Sequence, residues 1–231
     1  MILANHGIIS SAGGLPPSTL LTNLYAVYKA ESNANDSLGV YNGTAQGGLT
    51  YSAGKSGNAF TFNGSNAYVS LPNNSLNFTG DFSISLWVNL ASLSGVQYLF
   101  NNFKQVGLTN YYGYIIFAYN NYIYFRNCDG SLNTHDTITP FSSTNSWSNI
   151  VIIRKTSVTN KIYINGVLAV SGGAVNPVYD SVMPYSRIGS YNDSNGDKFL
   201  ANGSKIDEVG LWNRELTQSE ITELQTKYYP F

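Results

Sequence analysis

The stretch GSKIDEVGLW, which ends at Trp212, places two carboxylates in a segment that otherwise has the composition of a buried strand. Successive side chains of a strand point to opposite faces. The alternation therefore predicts Asp207 on the same face as Val209 and Leu211, with Glu208 and Trp212 on the other. A carboxylate in a buried strand needs a partner. The partner of Asp207 is either a cation or, if the residue lies at the rim, water or the amides of a turn.

Aromatic and amide side chains form a second set with possible chemistry. Trp87 stands among serines and Asn89 in one predicted strand, and a Tyr- and Asn-rich segment covers residues 110–124. Aromatic rings can stack on the apolar faces of sugars while amides bind hydroxyl groups, and tyrosine also suits protein interfaces. We take Trp87, Asn89, Tyr112 and Tyr114 as candidate glycan-binding residues. Core packing and cross-strand aromatic pairing are the alternative roles.

The elements that must position these residues are mostly strands. In DFSISLWVNL, apolar residues alternate with polar ones from Phe82 to Leu90. The pair Asn120–Asn121 predicts a tight turn between two Tyr-rich strands, and Asn165–Gly166 is the preferred dipeptide of a two-residue hairpin. This spacing of strands and turns indicates an all-β sandwich rather than alternating βαβ units.

One helix is predicted, after the strand that ends at Trp212. Thr217 and Glu220 have the spacing of a capping box, and Leu216 and Ile221 have that of a hydrophobic staple. Because the helix is short and close to the end of the sequence, we expect it to close one end of the sheet stack.

Composition excludes several functional classes. The 231 residues carry a net charge of −1 and no basic tract, which argues against binding nucleic acid through its phosphates. The single cysteine, Cys128, excludes an intrachain disulfide. No apolar run is long enough to span a membrane, and the first residues do not resemble a secretory signal. Charged residues make up only 11%, which is common in extracellular and virion β-proteins.

The sequence predicts two parts, an N-terminal arm or linker (1–20) and one β-domain (21–231). The first part contains apolar residues, a Gly-Gly pair and a Pro-Pro pair. We expect this arm to dock on a neighbouring subunit, forming a homo-oligomer, or on another virion protein. The alternative is a terminus that contacts nothing.

Four stretches in this order resemble a known family. They are GKSGNAFTFNGSNAYVSLPNNSLNFTGDFSISLWVNL, WSNIVIIRK, KIYINGVLAVSG and the closing SRIGSYNDSNGDKFLANGSKIDEVGLWNRELTQSEITEL, and ESNANDSLGVYNGTAQGG is similar to the family's opening loop. The sequence resembles a laminin-G-like domain of the concanavalin A-like lectin and glucanase superfamily. The resemblance implies a jelly-roll sandwich of two antiparallel sheets with a short C-terminal helix.

The resemblance also implies a structural calcium ion. Asp207 matches the family's carboxylate on the closing strand, and Asp36 is the nearest acidic match in the opening loop. Calcium binds six to eight oxygens, many of them backbone carbonyls, so Asn63 and Gly64 complete the predicted set.

The superfamily includes glycosidases, but this chain lacks their paired carboxylates. None of its five glutamates has an acidic neighbour two residues away on a strand, whereas retaining hydrolysis needs two carboxyl groups about 5 Å apart. We therefore expect a protein that is not an enzyme. The first hypothesis is a bacteriophage structural or adhesion protein on the virion surface that binds a host-surface glycan. The alternative is a carbohydrate-binding module of a secreted bacterial protein.

Overall fold

The computed structural model describes residues 18–107, 110–193 and 196–228. In these ranges the strands and the helix, in chain order, are β1 (Leu24–Tyr28), β2 (Thr44–Gln46), β3 (Thr50–Ala53), β4 (Asn58–Thr61), β5 (Tyr68–Ser70), β6 (Phe82–Asn89), β7 (Gln97–Val106), β8 (Asn110–Tyr119), β9 (Tyr122–Asp129), β10 (Thr134–Pro140), β11 (Ser148–Lys155), β12 (Thr159–Ile164), β13 (Val167–Gly172), β14 (Ser186–Ile188), β15 (Ser190–Asp193), β16 (Gly196–Phe199), β17 (Lys205–Trp212) and α1 (Gln218–Glu223).

The strands form two antiparallel sheets that face each other. The larger sheet has the order β13-β12-β11-β6-β17-β4-β3, with β1 also paired to β17. The smaller sheet has the order β10-β9-β8-β7-β14-β5-β2, and β15 and β16 form a separate ribbon. The predicted all-β sandwich of the concanavalin A-like type, with a short C-terminal helix, is confirmed.

Alternating residues of β6 supply the centre of the core. Phe82, Ile84, Leu86 and Val88 are fully buried between the sheets. They belong to one cluster with apolar residues of the smaller sheet, and the ring centroids of Phe82 and Tyr114 lie 4.9 Å apart. Burying side chains of this size contributes roughly 1.5–3 kcal/mol each, so this face of β6 anchors the sandwich.

A β-bulge in β17 reverses the predicted faces at the start of that strand, before the bulge. The pairing of β17 with β6 shifts register between Asp207 and Gly210, and Glu208 has a positive φ of 47°. Ile206 and Val209 therefore both face the core, although they are three residues apart. The prediction that Asp207 shares a face with Val209 was wrong, because a bulge adds one residue and changes the phase of the alternation.

Helix α1 lies on the outer face of the larger sheet instead of closing an end of the stack. Its capping box is present: the Thr217 hydroxyl accepts from the Glu220 amide, and the Glu220 carboxylate accepts from the Thr217 amide. Ile221 is fully buried in an outer cluster that includes Val151 and Trp212. The other members of this cluster are Leu20, Val27, Ile153, Tyr163, Leu216 and Leu224.

Both predicted turns are present. Asn120 and Asn121 have φ values of 50° and 64°, and Asn165 and Gly166 have 50° and 81°. The predicted arm lies mostly outside the described residues, but Leu20 is buried against the domain and its carbonyl accepts from the indole of Trp212 at 2.6 Å. Within the described ranges, no helix is both long enough and apolar enough to cross a membrane.

Candidate functional site

The outer face of the smaller sheet contains an aromatic groove of about 520 Å³. We call it the outer groove. It is lined by Val96, Tyr98, Phe103, Gln105, Tyr111, Ile115, Phe117, Tyr119, Arg126, Leu132, Thr134 and Tyr191. Because β7, β8, β9 and β10 are neighbours about 4.8 Å apart, the groove crosses several strands. Its volume lies within the range typical of small-molecule sites.

The floor of the outer groove is a small apolar cluster, separate from the main core. Phe103, Ile115, Phe117 and Tyr191 are nearly buried, and they pack together with Cys128. Half-buried rings and more exposed side chains form the walls, where Tyr119 exposes 38% and Leu132 exposes 54% of its surface. The groove therefore presents apolar surface to solvent above a packed base.

The local sequence of β8 explains why this surface exists. In YIIFAY, the apolar run has no polar alternation, so both faces of the strand are apolar. Tyr114 and Ile116 face the other sheet, whereas Ile115, Phe117 and Tyr119 face outwards into the groove.

Contacts between rings hold the aromatic side chains of the groove in place. The centroids of Tyr98 and Tyr191 lie 4.9 Å apart, and Tyr191 also meets Phe103 at 5.4 Å in an edge contact. Phe117 stacks on Tyr124 at 4.6 Å with an angle of 6° between the planes. Rings fixed in this way lose little conformational entropy when a ligand binds.

Arg126 is the one charged residue among the described residues that line the groove. Its Nε and Nη2 each donate to an oxygen of Asp136, both at 2.7 Å, and Asp136 is its cross-strand partner on β10. The guanidinium lies 5.2 Å from the centroid of Phe117. The hydrogen bonds that Arg126 donates to Asp136 raise the pKa of Arg126. The groove therefore contains a positive charge that is already compensated.

The four predicted glycan-binding residues do not share one surface. Trp87 and Asn89 lie on β6 of the larger sheet, and Trp87 is only 6% exposed, with the Lys55 ammonium 4.3 Å from its ring centroid. Tyr112 and Tyr114 lie on β8, on the face opposite to the outer groove.

Tyr114 belongs to the core. It is fully buried, its hydroxyl donates to the Leu76 carbonyl at 3.2 Å, and burial raises its pKa well above the usual value. A ring without exposed surface cannot stack on a sugar. The alternative role given above for these tyrosines, core packing, therefore describes Tyr114.

The residues that were not predicted from the sequence are those that face outwards into the groove. Tyr111 and Tyr119 belong to the Tyr-rich segment noted above, but Tyr98, Phe103 and Tyr191 come from other strands. A pattern that indicates such residues is present in β8, where Ile115, Phe117 and Tyr119 alternate with core residues. The contribution of the other strands depends on the sheet order.

The predicted calcium ligands Asp36 and Asp207 accept hydrogen bonds from backbone amides instead. Asp36 accepts from four amides, those of Val27 at 2.9 Å, of Leu38 and Tyr41 at 3.1 Å and of residue 40 at 3.2 Å. These donors occupy all four lone-pair positions of a carboxylate and point their positive ends at it. A cation at the same oxygens would be repelled.

Asp207 is held by a different loop. Its Oδ2 accepts from the amides of Lys55 at 2.8 Å and Ser56 at 3.1 Å, and its Oδ1 accepts from the Glu208 amide at 2.8 Å. Burial raises its pKa to about 6, although these amides oppose the shift. A Cβ on Gly54 would lie 2.5 Å from Oδ2, so the loop needs glycine to approach this closely.

Asn63 and Gly64 also have a local role. The Asn63 side-chain oxygen accepts from the amides of Ser65, Asn66 and Ala67 at 3.0–3.1 Å and so caps its own turn. In the ranges that the structure describes, no group of three or more His, Cys, Asp or Glu side chains could hold a metal ion. The four predicted ligands do not fit a calcium site in this arrangement.

Solved structures share this fold. Domain 4 of AbnA, a GH43 extracellular arabinanase from Geobacillus stearothermophilus, solved in complex with arabinotriose, is 24% identical, with a TM-score of 0.68 over 88% of this chain and 98% of that domain. The binding domain of botulinum neurotoxin DC in complex with SialylT is 16% identical, with a TM-score of 0.70 over 90% of this chain and 52% of the other. The binding domain of Paraclostridial Mosquitocidal Protein 1 is 22% identical, with a TM-score of 0.66 over 88% of this chain and 52% of the other.

At these identities the likeness establishes the fold, and this chain spans about half the length of the two toxin chains. Comparison with curated protein sequences finds no match. A family model described as the concanavalin A-like lectin/glucanases superfamily matches residues 63–222, which is more than half of the sequence. The chain belongs to this superfamily.

Proposed function

We propose that this protein is a glycan-binding module and that it binds its ligand in the outer groove. The observation that carries the proposal is the row of outward-facing rings from β7, β8 and β15, which surrounds a groove of about 520 Å³. Such rings present flat apolar surface, while Gln105, Thr134 and the tyrosine hydroxyls supply polar groups at the same place. The arabinotriose bound to the similar AbnA domain supports this function.

The similar structures favour a module of an extracellular protein over a virion component. They are a domain of an extracellular arabinanase and binding domains of toxins, and none of those reported above is a phage protein. The phage origin predicted from the sequence has no support in these matches. We therefore propose that the protein acts outside the cell, as one domain of a binding or degrading system.

The module binds its ligand without hydrolysing it. The described residues that line the outer groove include no aspartate or glutamate, and glycoside hydrolysis requires a pair of such groups. Incubation with a bound oligosaccharide should release no sugar. Release that increases with protein concentration would show that the protein is an enzyme.

A matched pair of tyrosine variants tests the site. Tyr119 and Tyr122 are cross-strand partners beside the Asn120–Asn121 turn and are 38% and 41% exposed, but only Tyr119 lines the groove. Tyr119→Ala should weaken binding of an oligosaccharide identified on a glycan array by about 1 kcal/mol, or roughly fivefold. Tyr122→Ala should leave it unchanged, because its ring lies outside the groove.

Titration calorimetry measures both variants, and equal melting temperatures exclude an effect through stability. Equal affinities of Tyr119→Ala and the parent protein would place the site elsewhere. No binding to any oligosaccharide would reject the proposed function.

A further inference from the structure

We infer that the outer groove selects uncharged glycans and that Asp136 sets this selectivity by compensating the charge of Arg126. The inference rests on the proposed function and adds the chemical class of the ligand. It starts from the charges at the groove. Sialylated and uronic-acid glycans carry a carboxylate, and binding it in an apolar groove requires a cation that is not already paired.

Arg126 is the single cation among the described residues that line the groove, and it is already paired. Arg126 makes two parallel hydrogen bonds with Asp136, the arrangement in which a guanidinium binds a carboxylate most strongly. A ligand carboxylate at the same edge of Arg126 would have to displace Asp136. A ligand carboxylate at any other edge of the guanidinium would lie close to the negative charge of Asp136.

The position of the pair also limits what Arg126 can do. The guanidinium lies over the ring of Phe117, which in turn stacks on Tyr124, so one face of the guanidinium is packed on a fixed ring. The side chains of Arg126 and Asp136 are 32% and 19% exposed, respectively. A neutral sugar can still receive hydrogen bonds from the remaining guanidinium N–H groups and donate its hydroxyls to the carboxylate.

Removal of the compensating charge should therefore change the specificity of the groove. In Asp136→Asn, the guanidinium keeps its position over Phe117 but no longer has a counter-charge. Because a like charge near a binding site is an effective means of excluding a ligand, its removal should admit anionic glycans.

The control is Asp180→Asn, which makes the same change in charge at another ion pair. Asp180 binds Lys104, which follows Phe103 on β7 and therefore points to the face opposite the groove. This variant releases a cation outside the groove.

Arg126→Met combined with Asp136→Asn removes both charges and tests whether any gain requires the guanidinium.

The probes are two matched pairs, lactose with sialyllactose and galactotriose with trigalacturonate. The parent protein should bind at least one neutral probe and bind its anionic counterpart at least about tenfold more weakly. Asp136→Asn should reduce this ratio by about tenfold or reverse it, and the gained binding should weaken with added salt, as charge pairing does. Asp180→Asn should keep the preference of the parent, and the double variant should show a smaller change than Asp136→Asn, because it lacks the repelling carboxylate but has no cation to bind the ligand.

The outcomes separate this inference from the proposed function. Equal binding of neutral and anionic probes by the parent protein would overturn the selectivity and leave glycan binding intact. An unchanged ratio in Asp136→Asn would show that the pair does not determine the ligand class. No binding of any probe by the parent protein would overturn the inference, and no binding on the glycan array as well would reject the proposed function itself.

Discussion

Single carboxylates in this protein act mainly as hydrogen-bond acceptors that join distant segments. Glu220 shows this most clearly: its two oxygens accept from Arg214 at 2.7 and 2.8 Å, from the Thr217 amide at 2.8 Å and from the Thr19 hydroxyl. Burial opposes ionisation of Glu220, but these donors outweigh it and lower its pKa to about 2. One side chain thus caps the helix and ties it to the start of the domain.

Glu220→Gln should lower the free energy of unfolding by about 2–3 kcal/mol, because it weakens the cap and the charged hydrogen bonds to Arg214. Since the folded pKa is lowered from 4.5, the contribution of Glu220 is complete above about pH 4.5 and is lost as the pH falls towards about 2.

Urea unfolding measures this loss, and Glu223→Gln on the same helix is the control. Glu223 pairs with the more exposed Lys227 at 2.8 Å, so its substitution should cost no more than about 0.5 kcal/mol. Equal losses in the two variants would contradict the central role of Glu220.

At the level of elements, the bulge in β17 determines where Asp207 points. It directs the carboxylate away from the core residues Ile206 and Val209 and towards the turn between β3 and β4. There the carboxylate accepts hydrogen bonds from the amides of Lys55 and Ser56. The turn is thereby attached to the closing strand. A buried carboxylate in this position does not require a metal ion.

Asp207 should give the protein a pH dependence opposite to that of Glu220. Its folded pKa, about 6, is raised above the ordinary 3.8, so its protonated form favours folding. That contribution is complete below about pH 3.8 and is lost as the pH rises through about 6, a change on the order of 3 kcal/mol. Asp207→Asn should remove this part of the pH dependence, measured by urea unfolding near pH 4 and pH 7.

A chelator tests the earlier calcium prediction on the same protein. Because amides already surround Asp207 and Asp36, the melting temperature should not change when chelator is added. A lower melting temperature in chelator, absent in Asp207→Asn, would show that calcium binds there and that the amides do not replace it.

At the level of the whole molecule, the two outer faces of the sandwich differ in what covers them. The outer face of the larger sheet is covered by α1 and its flanking segments, whereas the outer face of the smaller sheet carries the groove. Trp87 lies on the first of these sheets, under Lys55. The surface proposed for glycan binding is therefore the one that no helix of the described chain covers.

The predicted arm adds a test at this scale. Removal of residues 1–15 should leave the melting temperature within about 2 °C, because Leu20 and the residues after it keep their contacts in the domain. If the arm docks on a second subunit, the same truncation should convert an oligomer into a monomer in light scattering. An unchanged mass would contradict a role of the arm in assembly.

Features that depend on local pattern were predictable from the sequence alone. The alternation in β6, the turns at Asn120–Asn121 and Asn165–Gly166, and the capping box from Thr217 to Glu220 were all predicted and are present. Each of them follows from backbone preferences or hydrogen bonds within a few residues. Together with the family resemblance, they were sufficient for the fold.

Which faces remain open to solvent depends instead on tertiary contacts. Alternation shows that Ser83 and Trp87 share a face, but the burial of that face depends on segments more than a hundred residues away: the Ser83 hydroxyl donates to the Arg214 carbonyl and accepts from the Leu216 amide. The groove likewise combines residues of β7, β8, β9 and β15, which meet through the sheet order and packing. A pattern within one strand contains no information about what covers it, and a bulge such as that at Asp207 changes even the choice of face.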